Sequence, residues 1–382
     1  MTDLLITNGK VITPEGILVG GAIRISEGVI TEVQQEGEVS AEGAEVLDAE
    51  GGYIAPGLID MHIHGSQGLD VMDGKPESLI KLAQYLAITG TTVFVPTTMT
   101  ASSDKLHKVA QATSEAIRRL RPECAEIIGL HLEGPFVNPA KQGAQDPESI
   151  RPFNLEEVQR LQEAAQGLIK RITFAPELVD LSLVPRLLEL GVAPSVGHSA
   201  ADYATVKKAV SAGCRQVTHL YNGMSGLNHH NPGVAAAALD ISDLTVEVIA
   251  DGVHVHPALL RLAFTAKGPD KMVLITDAHL AAGLPVGDYP RYGVKVTKDA
   301  VYLSNGVLAG SKISLLEAVK FMVNIVGVSL VDAFRMASLS PAKALGIWER
   351  KGSIEAGKDA DILICDAQLR LKHVLIRGNV LF

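Results

Sequence analysis

Apolar and polar positions are arranged in two different ways along this chain. At both ends the apolar runs are short and broken by turn residues. Leu4-Leu5-Ile6 leads to Asn8-Gly9 and then Lys10-Val11-Ile12. Ala22-Ile23-Arg24-Ile25 leads to Glu27-Gly28 and then Val29-Ile30-Thr31-Glu32-Val33. Asn-Gly between apolar runs signals a hairpin, because both residues accept the positive φ of a tight turn. The C-terminus has the same texture in Ala360-Asp361-Ile362-Leu363-Ile364-Cys365, His373-Val374-Leu375-Ile376 and Gly378-Asn379-Val380-Leu381. The two strand-rich ends are expected to meet and form one small β unit.

Between them, eight apolar or β-branched runs recur, at residues 54–64, 91–98, 126–133, 171–176, 193–197, 216–221, 244–250 and 272–277. Amphipathic helical stretches separate most of them, at 76–89, 103–120, 155–165, 182–190, 201–212 and 257–266. Strand alternating with helix implies a parallel sheet with right-handed crossovers. Eight such units over about 250–300 residues favour a closed barrel over an open doubly wound sheet. The predicted fold class is therefore α/β. A TIM-like (β/α)8 barrel occupies 54–348, and a small β-sandwich domain is formed from both chain ends, 1–53 and 349–382.

The ends of these runs carry chemistry. The first ends in His62-Ile63-His64, and residues i and i+2 of a strand face the same way, so both imidazoles can reach one ion. Alone, such a pair is as readily two hydrogen-bonded histidines. The third run ends His131-Leu132-Glu133, the fifth Gly197-His198-Ser199, the sixth Thr218-His219-Leu220-Tyr221-Asn222 and the eighth Thr276-Asp277-Ala278. In a barrel these positions converge on one face, where active sites sit. Asp277 by itself could be a helix N-cap. Four histidines, a glutamate and an aspartate at equivalent positions instead form the donor set of a catalytic metal with an open position. Six such ligands suit two bridged ions.

Composition narrows the partners. Of 382 residues, 47% are hydrophobic and 20% charged, an ordinary balance for a large core with a smaller attached unit. The formal charge of −9 comes with no basic stripe, which argues against nucleic acid as a partner. Cys124, Cys214 and Cys365 are far apart and make no Cys-x-x-Cys, which argues against a disulfide scaffold or a thiolate zinc site. The start, Met1-Thr2-Asp3-Leu4-Leu5-Ile6, lacks a basic region followed by an apolar signal core, and no apolar run is long enough to span a bilayer. A cytoplasmic location with no membrane partner is expected.

The motifs PGLIDMHIHG (56–65), GLHLEGPF (129–136), TFAPE (173–177), GHS (197–199), THLYNGM (218–224), ADGVHV (250–255), LITDA (274–278) and GKDADIL (357–363) span nearly the whole chain. In this order the chain resembles the amidohydrolase superfamily, and within it the N-acetylglucosamine-6-phosphate deacetylases. The resemblance implies that Glu133, His198 and His219 hold one metal. His62 and His64 would hold a second, with Glu133 bridging in place of the modified lysine of other superfamily members. Some members lack the His-x-His pair and use one metal. This chain keeps it, so two divalent metal ions per subunit are expected, Zn2+ or Fe2+. Asp277 would lie at the metals, take a proton from water and deliver it to the leaving nitrogen. The implied reaction is hydrolysis of the N-acetyl amide of N-acetylglucosamine-6-phosphate, giving glucosamine-6-phosphate and acetate.

By the same resemblance His254 contacts a sugar hydroxyl, Asn222 and Gly223 lie on the phosphate side, Ala309 belongs to a substrate-facing turn, and 281–289 forms a mobile lid. A homodimer is expected. Two positions depart from the family. His230, in His229-His230-Asn231-Pro232-Gly233, stands where an arginine normally reaches the phosphate. Arginine is an always-charged fork, whereas histidine is only partly charged near neutral pH. Another N-acetyl sugar (N-acetylgalactosamine-6-phosphate, or an unphosphorylated one) or another small N-acyl compound therefore remains open as the substrate. Gln145 stands where many members have a histidine that polarises the carbonyl. It can donate a hydrogen bond but carries no proton, and a second metal would take over the polarisation.

Overall fold

The computed structural model describes residues 3–35 and 37–382. Met1 and Thr2, where the expected signal-free start begins, lie outside the described residues, as does Glu36.

The strand-rich ends do pair. Strands Asp3–Thr13, Gly16–Ser26, Val29–Gln35, Ala44–Asp48 and Tyr53–Pro56 share one eight-stranded sheet with Ile362–Cys365, Leu371–Ile376 and Asn379–Val380. Alternate residues bury a core of its own that includes Ile6, Val11, Ile23, Ile30, Ile54, Ile362 and Ile364. The seam between the ends is the antiparallel pairing of Tyr53–Pro56 with Ile362–Cys365. Residues 54–56 therefore belong to this sheet, and not to the first strand of the middle region as the apolar run suggested.

Asn8-Gly9 is also corrected. Its left-handed φ of 54° at Asn8 does not reverse the chain. It sits at a register break inside Asp3–Thr13, and the hairpin closes instead between Thr13 and Gly16. The break lets one long strand change partners, pairing with Ala44–Asp48 up to Thr7 and with Tyr53–Pro56 from Lys10.

In the middle, eight strands lie parallel in chain order: β1 (Leu58–Ile63), β2 (Thr91–Pro96), β3 (Leu130–Glu133), β4 (Ile169–Phe174), β5 (Ala193–Val196), β6 (Gln216–Val217), β7 (Thr245–Ile249) and β8 (Met272–Ile275). Ladders join β1 to β2 and β3 through to β8. The Thr97–His131 bridge links β2 to β3, and β8 packs against β1. Helices such as Pro76–Ile88, Ser103–Arg119, Leu155–Ala164, Tyr203–Ala212 and Pro257–Lys267 lie where periodicity predicted them. Strand periodicity splits the apolar residues. Phe94, Ile172, Val246 and Leu274 join the helices in the main core, while Val95, Ile249 and Val273 form a second cluster on the other strand face.

After β8 the chain makes a four-stranded antiparallel flap from Gly287–Tyr289, Val294–Val296, Val301–Leu303 and Leu308–Gly310. The expected lid at 281–289 is part of this flap: Ala281 and Ala282 are buried, and 287–289 is a strand. Three-residue strands are too short to show a period, so the sequence displayed only their Gly and Pro punctuation. Among the described residues no helix is long and apolar enough to cross a membrane.

Candidate metal centre

Each predicted ligand sits where a strand ends. His62 is in the last turn of the pleat of β1 and His64 follows it; Glu133 closes β3; His198, His219 and Asp277 lie just beyond β5, β6 and β8. At these last three the backbone turns out of the extended region, with φ 46° at His198, 30° at His219 and 46° at Asp277. Such conformations cost on the order of 1–3 kcal/mol each and persist only when neighbours hold them. Here the Asp277 N–H donates to the His62 carbonyl at 2.9 Å, and the Asn138 N–H to the His198 carbonyl at 2.9 Å.

The six side chains fall into two groups, His62, His64 and Asp277, and Glu133, His198 and His219; within each, the donor atoms lie within 4.8 Å of one another. Glu133 stands between the groups. Its Oε1 is 2.9 Å from His219 Nε2, 3.2 Å from His198 Nε2 and 3.5 Å from His62 Nε2, and its Oε2 is 3.4 Å from His64 Nε2. Asp277 Oδ1 is 3.1 Å from His64 Nε2.

The outward nitrogens explain this convergence. His62 Nδ1 meets Glu247 Oε2 at 3.0 Å, His64 Nδ1 the Thr97 carbonyl at 3.2 Å, and His198 Nδ1 the Lys141 carbonyl at 2.7 Å. An acceptor at Nδ1 keeps the proton there and leaves Nε2 with a lone pair pointing inward. The Nε2 atoms of His62 and His64 are then 3.3 Å apart, and those of His198 and His219 3.1 Å. Facing lone pairs repel unless a cation or a proton lies between them. Four imidazole nitrogens and two carboxylates fit divalent cations.

Charge agrees. Burial pushes the Glu133 carboxyl up, but His62, His198 and His219 hold it well below the usual carboxylate range. Burial likewise opposes ionisation of Asp277, yet His62 and His64 bring it down to about 2. Both acids are ionised at neutral pH. His131 is different: burial, then Arg171 and His62, keep its imidazole far below the ordinary range. Its Nε2 is 2.7 Å from Thr173 Oγ1 and its Nδ1 3.2 Å from Thr97 Oγ1, so it is a neutral hydrogen-bonded residue outside both ligand groups.

Residues 53–381 match the Amidohydrolase family. The chain belongs to this family. Over 100% of its length and 97% of the relative's, it is 38% identical to N-acetylglucosamine-6-phosphate deacetylase of Bacillus subtilis (strain 168). It is 36% identical to N-acetylgalactosamine-6-phosphate deacetylase of Escherichia coli O157:H7, over 97% of each chain. The crystal structure of N-acetylglucosamine-6-phosphate deacetylase from Pasteurella multocida superimposes with a TM-score of 0.93 at 30% identity, covering 99% of both chains.

Beside the ligands, this amidohydrolase has a cavity of about 210 Å³ whose wall includes His64, Gln145, Asn222, Gly223, His254 and Ala309. Every predicted substrate-side residue except His230 therefore faces the ligand groups. His254 is held by Asp251, with Nδ1 to Oδ2 at 2.6 Å. Gln145 has a second engagement: its Nε2 donates to Glu133 Oε2 at 2.7 Å, and its Oε1 accepts from the Thr100 N–H at 2.6 Å. His230 is exposed, away from this cavity, with its ring 4.1 Å from that of His229.

Sequence reasoning missed Glu247 and Arg171. Both are buried charges in the middle of strands, Glu247 between Val246 and Val248 and Arg171 before Ile172. The available signal was a lone charge in an apolar run at Glu247 and the Lys170-Arg171 pair in a strand, and either reads equally well as a surface position. Asp60 was also missed. It accepts from Thr276 Oγ1 at 2.5 Å, tying β1 to β8, and burial raises its carboxyl to about 6.

Proposed function

We propose that this amidohydrolase is a metal-dependent deacetylase that hydrolyses N-acetylglucosamine-6-phosphate to glucosamine-6-phosphate and acetate. One observation carries the reading: Glu133 of one ligand group lies 3.5 Å from His62 and 3.4 Å from His64 of the other, and Asp277 faces the same cavity as His254, Asn222 and Gly223. The full-length similarity to deacetylases of that name supports it.

On this reading His62, His64, Glu133, His198, His219 and Asp277 hold two divalent ions, Zn2+ or Fe2+. When bound, such ions polarise the amide carbonyl and acidify water. The protein does the rest. Asp277, ionised and lining the cavity, accepts a proton at a carboxylate oxygen and returns it to the departing nitrogen, a service typically worth about 10²–10⁴ in rate. His254, oriented by Asp251, binds a sugar hydroxyl. Asn222 and Gly223 border the phosphate end, and the flap strand carrying Ala309 covers the sugar. Gln145 keeps Glu133 in place and has one N–H left for the acyl group.

The architecture belongs to the same proposal. The eight parallel strands, with β8 against β1, form a closed (β/α)8 barrel over 57–348. The ends 1–56 and 349–382 form a β-sandwich, with the hand-over moved from 53/54 to Gly57. The enzyme works as a cytoplasmic homodimer, in which the exposed His230 reaches the phosphate of the neighbouring subunit. Three free, buried cysteines agree with a reducing compartment.

The N-acetylgalactosamine-6-phosphate reading is favoured by the relative of that name and by His230 in place of arginine. Acetate release from the two phosphorylated epimers and from free N-acetylglucosamine separates the two. We expect the highest kcat/KM for N-acetylglucosamine-6-phosphate. A preference for the galacto epimer would replace the first reading with the second.

A further inference from the structure

Below the ligand groups lies a buried ion pair that the proposed reaction does not use. Arg171 on β4 is 0% exposed and Glu247 on β7 is 2% exposed, and the Arg171 guanidinium binds Glu247 Oε1. Glu247 Oε2 is 3.0 Å from His62 Nδ1 and 3.2 Å from the His219 N–H. The second Arg171 amino group donates to Ser195 Oγ at 3.2 Å, and Ser195 Oγ is 2.7 Å from Thr218 Oγ1. Withdrawing two charges from water costs several kcal/mol per ion, and apolar residues of similar volume would be as stable or more so. The pair is therefore explained by what it does to its neighbours.

The geometry points to Glu247 and Arg171 as positioning residues for the ion held by His62, His64 and Asp277, an inference that rests on the two-metal reading. Glu247 Oε2 accepts only, so it fixes His62 as the Nδ1–H tautomer with Nε2 free to ligate. Arg171 occupies the other oxygen and allows the carboxylate one orientation. His219 depends on Glu247 only through its backbone N–H, and its Nδ1 has no partner among the described residues. Glu247 thus sets the tautomer of His62 and not that of His219, whose backbone N–H alone loses an acceptor when Oε2 is replaced by NH2.

Glu247→Gln turns this into a test. Arg171 demands an acceptor, so the Gln carbonyl faces the guanidinium and its NH2 group faces His62 Nδ1. That arrangement forces the proton onto Nε2, which then cannot ligate. In the double variant Arg171→Met/Glu247→Gln the amide is free to turn its carbonyl back to His62. The measurement is titration of metal-free full-length protein with Co2+, followed by d–d absorption and by bound metal per chain, with circular dichroism to check folding.

Wild type is expected to take two ions. Glu247→Gln should keep the Glu133/His198/His219 ion and bind the other about 10- to 100-fold more weakly. The double variant should recover most of that loss. Two ions in Glu247→Gln at wild-type affinity would overturn the inference while leaving the two-metal reading intact. One ion in wild type would overturn both. If Glu247→Gln does not fold, Arg171→Met/Glu247→Leu decides: with no acceptor left at His62 Nδ1 the second ion should bind about 10- to 100-fold more weakly, and wild-type affinity refutes the inference.

Discussion

At the scale of single residues, Asp277 and Glu133 differ in what surrounds them. Both line the cavity, but Glu133 is enclosed by imidazoles and by Gln145 and is 2% exposed, which suits a bridging ligand, while the Asp277 side chain is 14% exposed. Asp277→Asn should therefore keep most bound metal yet lower kcat by about 10²–10⁴, read by acetate release and metal analysis on one sample. Wild-type turnover in that variant would remove Asp277 from the proton transfer. Gln145→Ala leaves the Thr100 N–H without its acceptor and Glu133 Oε2 without a donor. It should cost about 1–3 kcal/mol of stability in denaturant unfolding. The six residues of the two groups were legible in the sequence because their residue types recur at strand ends. Glu247, Arg171 and Asp60 were not, because a charge within an apolar run looks the same whether it faces water or a buried partner.

Elements set the aim of these side chains. Strand periodicity and helix periodicity were visible along β1–β8, since those runs are long enough to show their repeat. The flap after β8 was invisible for the opposite reason. It matters all the same: its last strand, Leu308–Gly310, lies against the ligand end of β8. At Gly310 the backbone has φ 137°, and an added Cβ would stand 2.8 Å from the Asp277 carbonyl oxygen. Gly310→Ala should shift Asp277 and lower kcat more than it lowers metal content or raises KM. An unchanged kcat would show that the flap and Asp277 move independently. Asn8-Gly9 carries a related lesson. The positive φ was correctly read from the residue types, but the same conformation serves a bulge as well as a turn, and only the pairing partners decide between them.

At the scale of the whole molecule, the C-terminal end is tied to the middle by a clasp around a buried lysine. Lys351, 1% exposed, lies 2.6 Å from Asp361, 2.9 Å from Asp359 and 3.1 Å from Glu126, and Arg350 adds a second cation to Glu126 and Asp359. Texture alone indicated that the ends meet, but nothing in it marked this cluster, because Glu126 lies far in sequence from Arg350, Lys351, Asp359 and Asp361. Lys351→Met would leave the carboxylates without their central partner and should cost about 3–5 kcal/mol in unfolding free energy. Burial pushes the Glu126 carboxyl up, but Arg350 and Lys351 pull it down to about 2 from an ordinary 4.5. Its contribution is therefore complete above about pH 4.5 and is lost as the pH falls toward 2. Unfolding free energy should decline across that window, and Glu126→Gln should flatten the decline; equal slopes would exclude Glu126 as its source.

The central claim is that this fold holds metal in order to release acetate from N-acetylglucosamine-6-phosphate. The direct measurement is acetate formed from that substrate by one preparation as isolated, after chelation, and after return of Zn2+ or Fe2+, with bound metal counted at each stage. Acetate release that disappears with chelation and returns as bound metal approaches two ions per chain is the expected result. No acetate from the metal-loaded protein, or full release from the chelated one, would contradict the account.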